Sequence, residues 1–109
     1  MVDKVIEINY NIITEGNYEV EFDDNKNLIN IQKHGVDFNE AAYVLEDECA
    51  LYKVDEQHSS NEEERFLILG FSNQANMLVV SFCIRVGNRI RIISARKATK
   101  NEERDYSNQ

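Results

Sequence analysis

Ile6, Ile8, Tyr10 and Ile12 alternate with Glu7, Asn9 and Asn11, the two-residue period of a strand with one buried face. Glu15-Gly16-Asn17 is turn chemistry, and Tyr18, Val20 and Phe22 then alternate with Glu19 and Glu21, so residues 5–22 predict a β-hairpin. Asp23-Asp24-Asn25 opens a helix expected to carry Leu28, Ile29 and Ile31 inward. Gly35 suits its stop, because glycine takes the left-handed conformation of a helix end without steric cost. Asp37-Phe38-Asn39-Glu40 reads as a capping box, Asp37 receiving a backbone N–H and Glu40 reaching back. Ala41, Ala42, Val44 and Leu45 supply the apolar side of this second helix.

Beyond acidic Glu46-Asp47-Glu48, a short strand is expected at residues 50–54, then a polar loop from Asp55 to Glu63. Three richer strands follow at residues 65–71, 77–86 and 89–95. Residues 72–76 turn between the first two, and Gly87-Asn88 forms a two-residue hairpin loop between the last two. Thr99-Lys100-Asn101-Glu102 is another capping box and opens a short C-terminal helix containing Arg104 and Tyr106. Tight turns join neighbouring strands, so the fold class is α+β: a mainly antiparallel sheet, two helices after an N-terminal hairpin, and a short C-terminal helix. The 109 residues contain no proline, repeat or low-complexity stretch, and a single domain over 1–109 is expected.

Charge changes this picture only through its distribution. The net charge of -8 argues against a polyanionic ligand, since phosphate affinity comes from Lys and Arg. Residues 1–84, however, hold 5 basic and 17 acidic side chains, whereas residues 85–109 hold 7 basic and 3 acidic. Arg85, Arg89, Arg91, Arg96, Lys97, Lys100 and Arg104 thus form a basic segment on an acidic body. No apolar run approaches the roughly 18–20 residues that cross a bilayer, and Met1-Val2-Asp3-Lys4 does not resemble a secretory signal. Cys49 and Cys83 are isolated and are expected to be packed, reduced thiols in a cytoplasmic protein without membrane contact.

Several familiar chemistries are missing. There is no Gly-rich phosphate loop, nucleophile elbow or HExxH motif. His34 and His58 each lack a second His or Cys at ligand spacing, so neither a metal nor any other cofactor is expected. Runs such as Glu62-Glu63-Glu64 read as solvated faces. The cations remain: Lys33 beside His34, and Arg65, Arg85, Arg89, Arg91 and Arg96 on or beside strands. A guanidinium presents a planar fork of donors, which suits phosphate. The same arginines are equally read as ion-pair residues, given 20 carboxylates. His34 alone would be a helix-end residue facing the last carbonyls, and His58 an exposed, idle loop residue.

Four blocks between Val20 and Tyr106 resemble the BrnT toxin family. They are Phe22-Asp23-Asp24-Asn25-Lys26; the Asn30-Ile31-Gln32-Lys33-His34-Gly35-Val36-Asp37-Phe38-Asn39-Glu40-Ala41 stretch; His58-Ser59 with Glu64-Arg65 and Gly70; and Ile90 to Thr99, followed by Glu103 and Tyr106. Residues 20–106 correspond to the family core, with 1–19 as an extra strand region. The chain departs in having Phe22 where Trp is usual and no proline after Asp47-Glu48. The resemblance implies a RelE-like fold and a type II toxin that cleaves RNA and arrests translation. It also implies a ribbon-helix-helix, BrnA-like antitoxin in a 2:2 heterotetramer, with operator DNA bound only through that antitoxin. Carried onto this sequence, the site residues are Lys33, His34, Arg65, Arg85 and Arg96, while Arg89, Arg91 and Lys97 are expected to contact single-stranded RNA.

RNA supplies its own nucleophile, the 2′-hydroxyl, so preorganised cations and a proton-transfer group suffice without metal. Arg65, Arg85 and Arg96 are the expected phosphate clamps, and Lys33 or His34 the proton-transfer group. Imidazole exchanges protons near neutrality, whereas an amine does so only when burial or neighbouring cations depress it. One geometric check limits the scheme. With a two-residue turn, Arg85 faces Ile90 and Val79 faces Arg96, which leaves Arg85 and Arg96 six positions, or roughly 20 Å, apart along the strands. Two rival classes stay open: a catalytically weak antitoxin-binding module of the same operon, and a stand-alone RNA- or ribosome-binding domain.

Overall fold

A computed structural model describes residues 17–109. The elements are β1 (Glu19–Glu21), α1 (Asp24–His34), α2 (Phe38–Ala41) running into a 3-10 turn (Ala42–Glu46), β2 (Leu51–Val54), β3 (Arg65–Phe71), β4 (Met77–Arg85), β5 (Arg89–Lys97) and α3 (Lys100–Ser107). One five-stranded sheet has the order β1-β5-β4-β3-β2. Its β2–β5 part is antiparallel, as the tight turns require, but β1 joins β5 in parallel, Glu19 facing Arg89 and Glu21 facing Arg91. Two helices and three strands separate β1 from β5 in the chain, a connection long enough for a parallel pair. The first arm of the expected hairpin lies outside the described residues.

The helices cover one sheet face. Phe66 and Ile68 of β3, Val80 and Phe82 of β4 and Ile90 and Ile92 of β5 bury against Val36, Phe38, Ala41, Val44 and Leu45. The alternate residues point to the other face: Arg65 and Leu67, then Val79, Ser81, Cys83 and Arg85, then Arg91.

α1 overturns the expected inward set. Leu28 and Ile29 are 60% and 61% exposed and Ile31 is also exposed, whereas Asn27 and Asn30 are buried. The cause is hydrogen bonding, which selects the face that packs. Asn30 Nδ2 donates to Ala95 O at 2.8 Å and to Val36 O at 2.9 Å, and Ala95 N donates to Asn30 Oδ1 at 3.1 Å. One amide side chain thereby continues the ladder on the β5 edge past the point where β1 ends. Asn27 Oδ1 accepts from Phe38 N at 2.8 Å and its Nδ2 donates to Asp37 at 3.1 Å.

Smaller corrections have equally local causes. Asp37 caps α2 through Asn39 N, but Glu40 does not reach back; its Oε2 accepts from Ser72 Oγ and Asn76 Nδ2 instead. The β4–β5 loop has three residues, Val86, Gly87 and Asn88, because a bulge near Ser81 and Phe82 shifts the register so that Arg85 faces Arg89. Gly87 and Asn88 supply the positive φ values of that turn. β5 runs two residues further than expected, to Lys97. Cys83 is buried, but Cys49 is exposed rather than packed, and both thiols are free. Thr99 and Glu102 do form the capping box of α3. That helix docks through Tyr106, whose hydroxyl donates to Asp47 Oδ2 at 2.7 Å, and the same oxygen accepts from Phe71 N.

Candidate active site

The sheet face turned away from the helices carries a cavity of about 700 Å3. Lys53, Leu67, Ser81 and Ser94 are successive register partners across β2, β3, β4 and β5 and form one row along its floor. Arg65 and Arg96 flank that row from opposite sides. His34, at the end of α1, lines the wall at the β5 edge, one turn after the Asn30 bridge to Ala95. His58 lines the opposite wall, beyond β2.

The loop that carries His58 is tied closed. Asp55 N donates to Arg65 O at 2.8 Å, Ser59 Oγ donates to Asp55 O at 2.7 Å, and Arg65 N donates to Ser59 Oγ at 2.9 Å. His58 Nδ1 lies 2.9 Å from Asp55 Oδ2. The imidazole is exposed, as its loop position suggests, yet it has a carboxylate partner and a cavity in front of it.

Ion pairing organises the arginines. Glu63 offers one carboxylate oxygen to Arg65 Nε at 3.1 Å and the other to Arg85 Nη2 at 3.2 Å. Glu21 is shared between Arg89 and Arg91, at 3.3 and 2.6 Å. Its Oε1 is buried without a well-aligned hydrogen bond, so the approach of Arg89 is a charge contact only. Arg96 meets Glu102 of α3 in a bidentate pair at 2.8 and 2.9 Å. Three glutamates therefore hold five guanidiniums. Each pair is partly exposed and screened by solvent, so its main effect is to fix direction.

Titration follows the same contacts. Arg96 holds the Glu102 carboxyl down at about 2, against its burial, and Glu102 raises Arg96 in turn. Cys83 beneath it, more than Glu63, raises Arg85 above the usual guanidinium value. Burial, then the hydrogen bond to Asp47, pushes the Tyr106 phenol up to about 12.

Of the residues expected to act, His34, Arg65 and Arg96 meet at one cavity. Arg85 stands beside it, linked to Arg65 through Glu63. Lys33 is exposed and outside the cavity wall, and Arg89, Arg91 and Lys97 lie beyond it. Val79 still faces Arg96, so the six-position separation of Arg85 from Arg96 holds in the observed register. Glu63 is not a solvated member of its acidic run. Sequence reasoning passed over Lys53, a lone cation inside a short apolar strand, and the Asp55/His58 spacing that lets a turn bring the two together. Among the described residues, no three His, Cys, Asp or Glu side chains are gathered as a metal site.

A family model described as the ribonuclease toxin BrnT of type II toxin–antitoxin systems matches residues 22–102. The crystal structure of the Brucella abortus ribonuclease toxin BrnT is similar at 25% identity and a TM-score of 0.56, covering 76% of this chain and 99% of that one. No curated protein sequence matches. With the family match spanning α1 through the start of α3, the chain belongs to the BrnT family of type II ribonuclease toxins.

Proposed function

We propose that this chain is a metal-independent endoribonuclease toxin that cuts single-stranded RNA by 2′-hydroxyl attack at the cavity on the open sheet face. The observation that carries the reading is the Glu63 carboxylate, held with one oxygen on Arg65 and one on Arg85. A phosphodiester has two free oxygens that fit the same pair of forks, and Arg65 also lines the cavity with His34 and Lys53. Arg65 and Arg85 would stabilise the transition-state charge, while Arg96 serves a neighbouring nucleotide. His34, inside the cavity, takes precedence over exposed Lys33 for proton transfer. Arg89, Arg91 and Lys97 extend a backbone track. The expected neutralising partner is a ribbon-helix-helix antitoxin in a 2:2 complex, and the setting is the cytoplasm.

The purified chain should cut single-stranded RNA in EDTA, leave a 2′,3′-cyclic phosphate and a 5′-hydroxyl, and spare DNA. Cutting DNA equally, or needing a divalent ion, sinks the mechanism. A second reading has one observation behind it: every arginine of this face already has a carboxylate partner, which suits a weak enzyme that chiefly binds its antitoxin. Expression alone and with the neighbouring reading frame separates the two, because only an active toxin arrests growth when alone.

A further inference from the structure

We propose that His58 takes the proton of the attacking 2′-hydroxyl and that Asp55 holds its ring for the task. The proposal rests on the ribonuclease reading and adds to it a base and a positioning carboxylate. Asp55 Oδ2 lies 2.9 Å from His58 Nδ1. A carboxylate accepts an N–H there, which fixes the neutral ring as the Nδ1–H tautomer and leaves the Nε2 lone pair free. The Asp55 side chain is 13% exposed and the His58 ring 64%, so the carboxylate is held within the loop while the ring stays open to a ligand. Once protonated, the ring would be stabilised by the same carboxylate, the role such an acid plays behind a catalytic imidazole.

The surroundings suit a phosphate. Lys53 reaches the cavity from β2, Arg65 from β3 and Arg96 from β5, while Glu56 sits beside His58 on the loop. Lys53 carries no carboxylate partner among the described residues, which leaves its charge for an incoming anion. In the step, the O2′–P bond forms as the P–O5′ bond breaks. The 2′-hydroxyl proton moves to His58 Nε2, and a solvent water gives O5′ its proton, the hydroxide left behind being neutralised when His58 sheds the proton it took. The products are a 2′,3′-cyclic phosphate and a 5′-hydroxyl, with His58 returned to its neutral state.

The test uses the full chain on a fluorescent single-stranded RNA of mixed sequence. The wild-type rate should rise with pH and then level off as His58 loses its proton. His58→Ala should lower kcat by about 100-fold or more with KM little changed, flatten the limb that rises with pH, and recover activity in added imidazole. Asp55→Asn should lower kcat by about 10-fold and remove the Nδ1–H tautomer of His58 seen by nitrogen-correlated NMR. That NMR signal, read on the unsubstituted protein, also tests the assignment without any risk of misfolding. An Nε2–H tautomer there, or an intact pH profile and rate in His58→Ala, overturns the proposal. So does an Asp55→Asn protein that slows with its His58 tautomer unchanged, since Asp55 is then only a loop clip. A folded wild type that cuts no RNA overturns the ribonuclease reading itself, a result distinct from an active enzyme indifferent to His58.

Discussion

Truncating Asn30 to alanine removes the bridge that fastens α1 to the edge of β5. Asn30 is 6% exposed, and its side chain makes three hydrogen bonds: to Val36 O, to Ala95 O and from Ala95 N. At about 1 kcal/mol net apiece these amount to about 3 kcal/mol, and the Ala95 N–H left dry in the interior raises the cost further. With a urea slope of about 1–3 kcal/mol per molar, the unfolding midpoint should fall by about 1–3 M. Asn30→Asp is the sharper variant. It keeps the shape and the acceptor for Ala95 N–H but sets an oxygen against two carbonyls. It should be at least as damaging at neutral pH and milder in acid, where the carboxyl protonates and can donate. The local readout is amide exchange at Ala95, which should accelerate in Asn30→Ala more than at residues deeper in the sheet. A loss below about 1 kcal/mol, or an Ala95 amide as protected as before, would refute the reasoning.

Gly70→Ala would set a Cβ 2.9 Å from Asp47 Oδ2, 3.1 Å from Ala50 Cβ and 3.2 Å from Val44 Cγ1, so about 1–3 kcal/mol of stability should be lost in urea unfolding. Glu102 titrates at about 2 when folded against 4.5 as its ordinary value. Its contribution is therefore complete above pH 4.5 and is lost as pH falls toward 2; after solvent screening it is about 1 kcal/mol, and Glu102→Gln should remove that acid dependence from a melt series. Tyr106 shifts the other way, to about 12 from 10.0, so its contribution is present below pH 10 and is lost as pH rises toward 12. Tyr106→Phe should flatten the alkaline fall while retaining the ring contact with Phe71. In cleavage assays, Arg85→Ala should cost about 100-fold, as expected for loss of a donor to transition-state charge, and Arg96→Ala less.

The strands were readable because alternation and turn residues are local signals: β3 begins and ends where its pattern does. The orientation of α1 was not readable by the same means. Leu28, Ile29 and Ile31 outrank Asn27 and Asn30 on any hydropathy scale, and only the unpaired edge of β5, a partner distant in sequence, reverses the choice. The bulge that lengthens the β4–β5 loop is likewise a property of the pairing rather than of either strand. Among the candidate site residues, Arg65, Arg96 and His34 came from motif blocks that fold onto one cavity. Lys53 and the Asp55–His58 pair escaped because a strand lysine and a loop histidine look ordinary until register and turn bring them to a shared wall.

The sharing of three carboxylates among five guanidiniums also bears on how this face meets a polyanion. Binding to nucleic acid usually draws on small ions freed into bulk solution, which makes affinity fall steeply with salt. Here the counterions are side chains of the same molecule. In the proposed ribonuclease, a phosphate arriving at Arg65 and Arg85 would displace a carboxylate that swings aside but stays tethered, so little translational entropy would be released and the exchange would be one anion for another. Glu21 lies just outside the family match, on the edge strand, so the neutralisation of Arg89 and Arg91 is supplied by a stretch the common pattern does not include. On that proposal the face is a preassembled anion receptor whose resident anions belong to the protein.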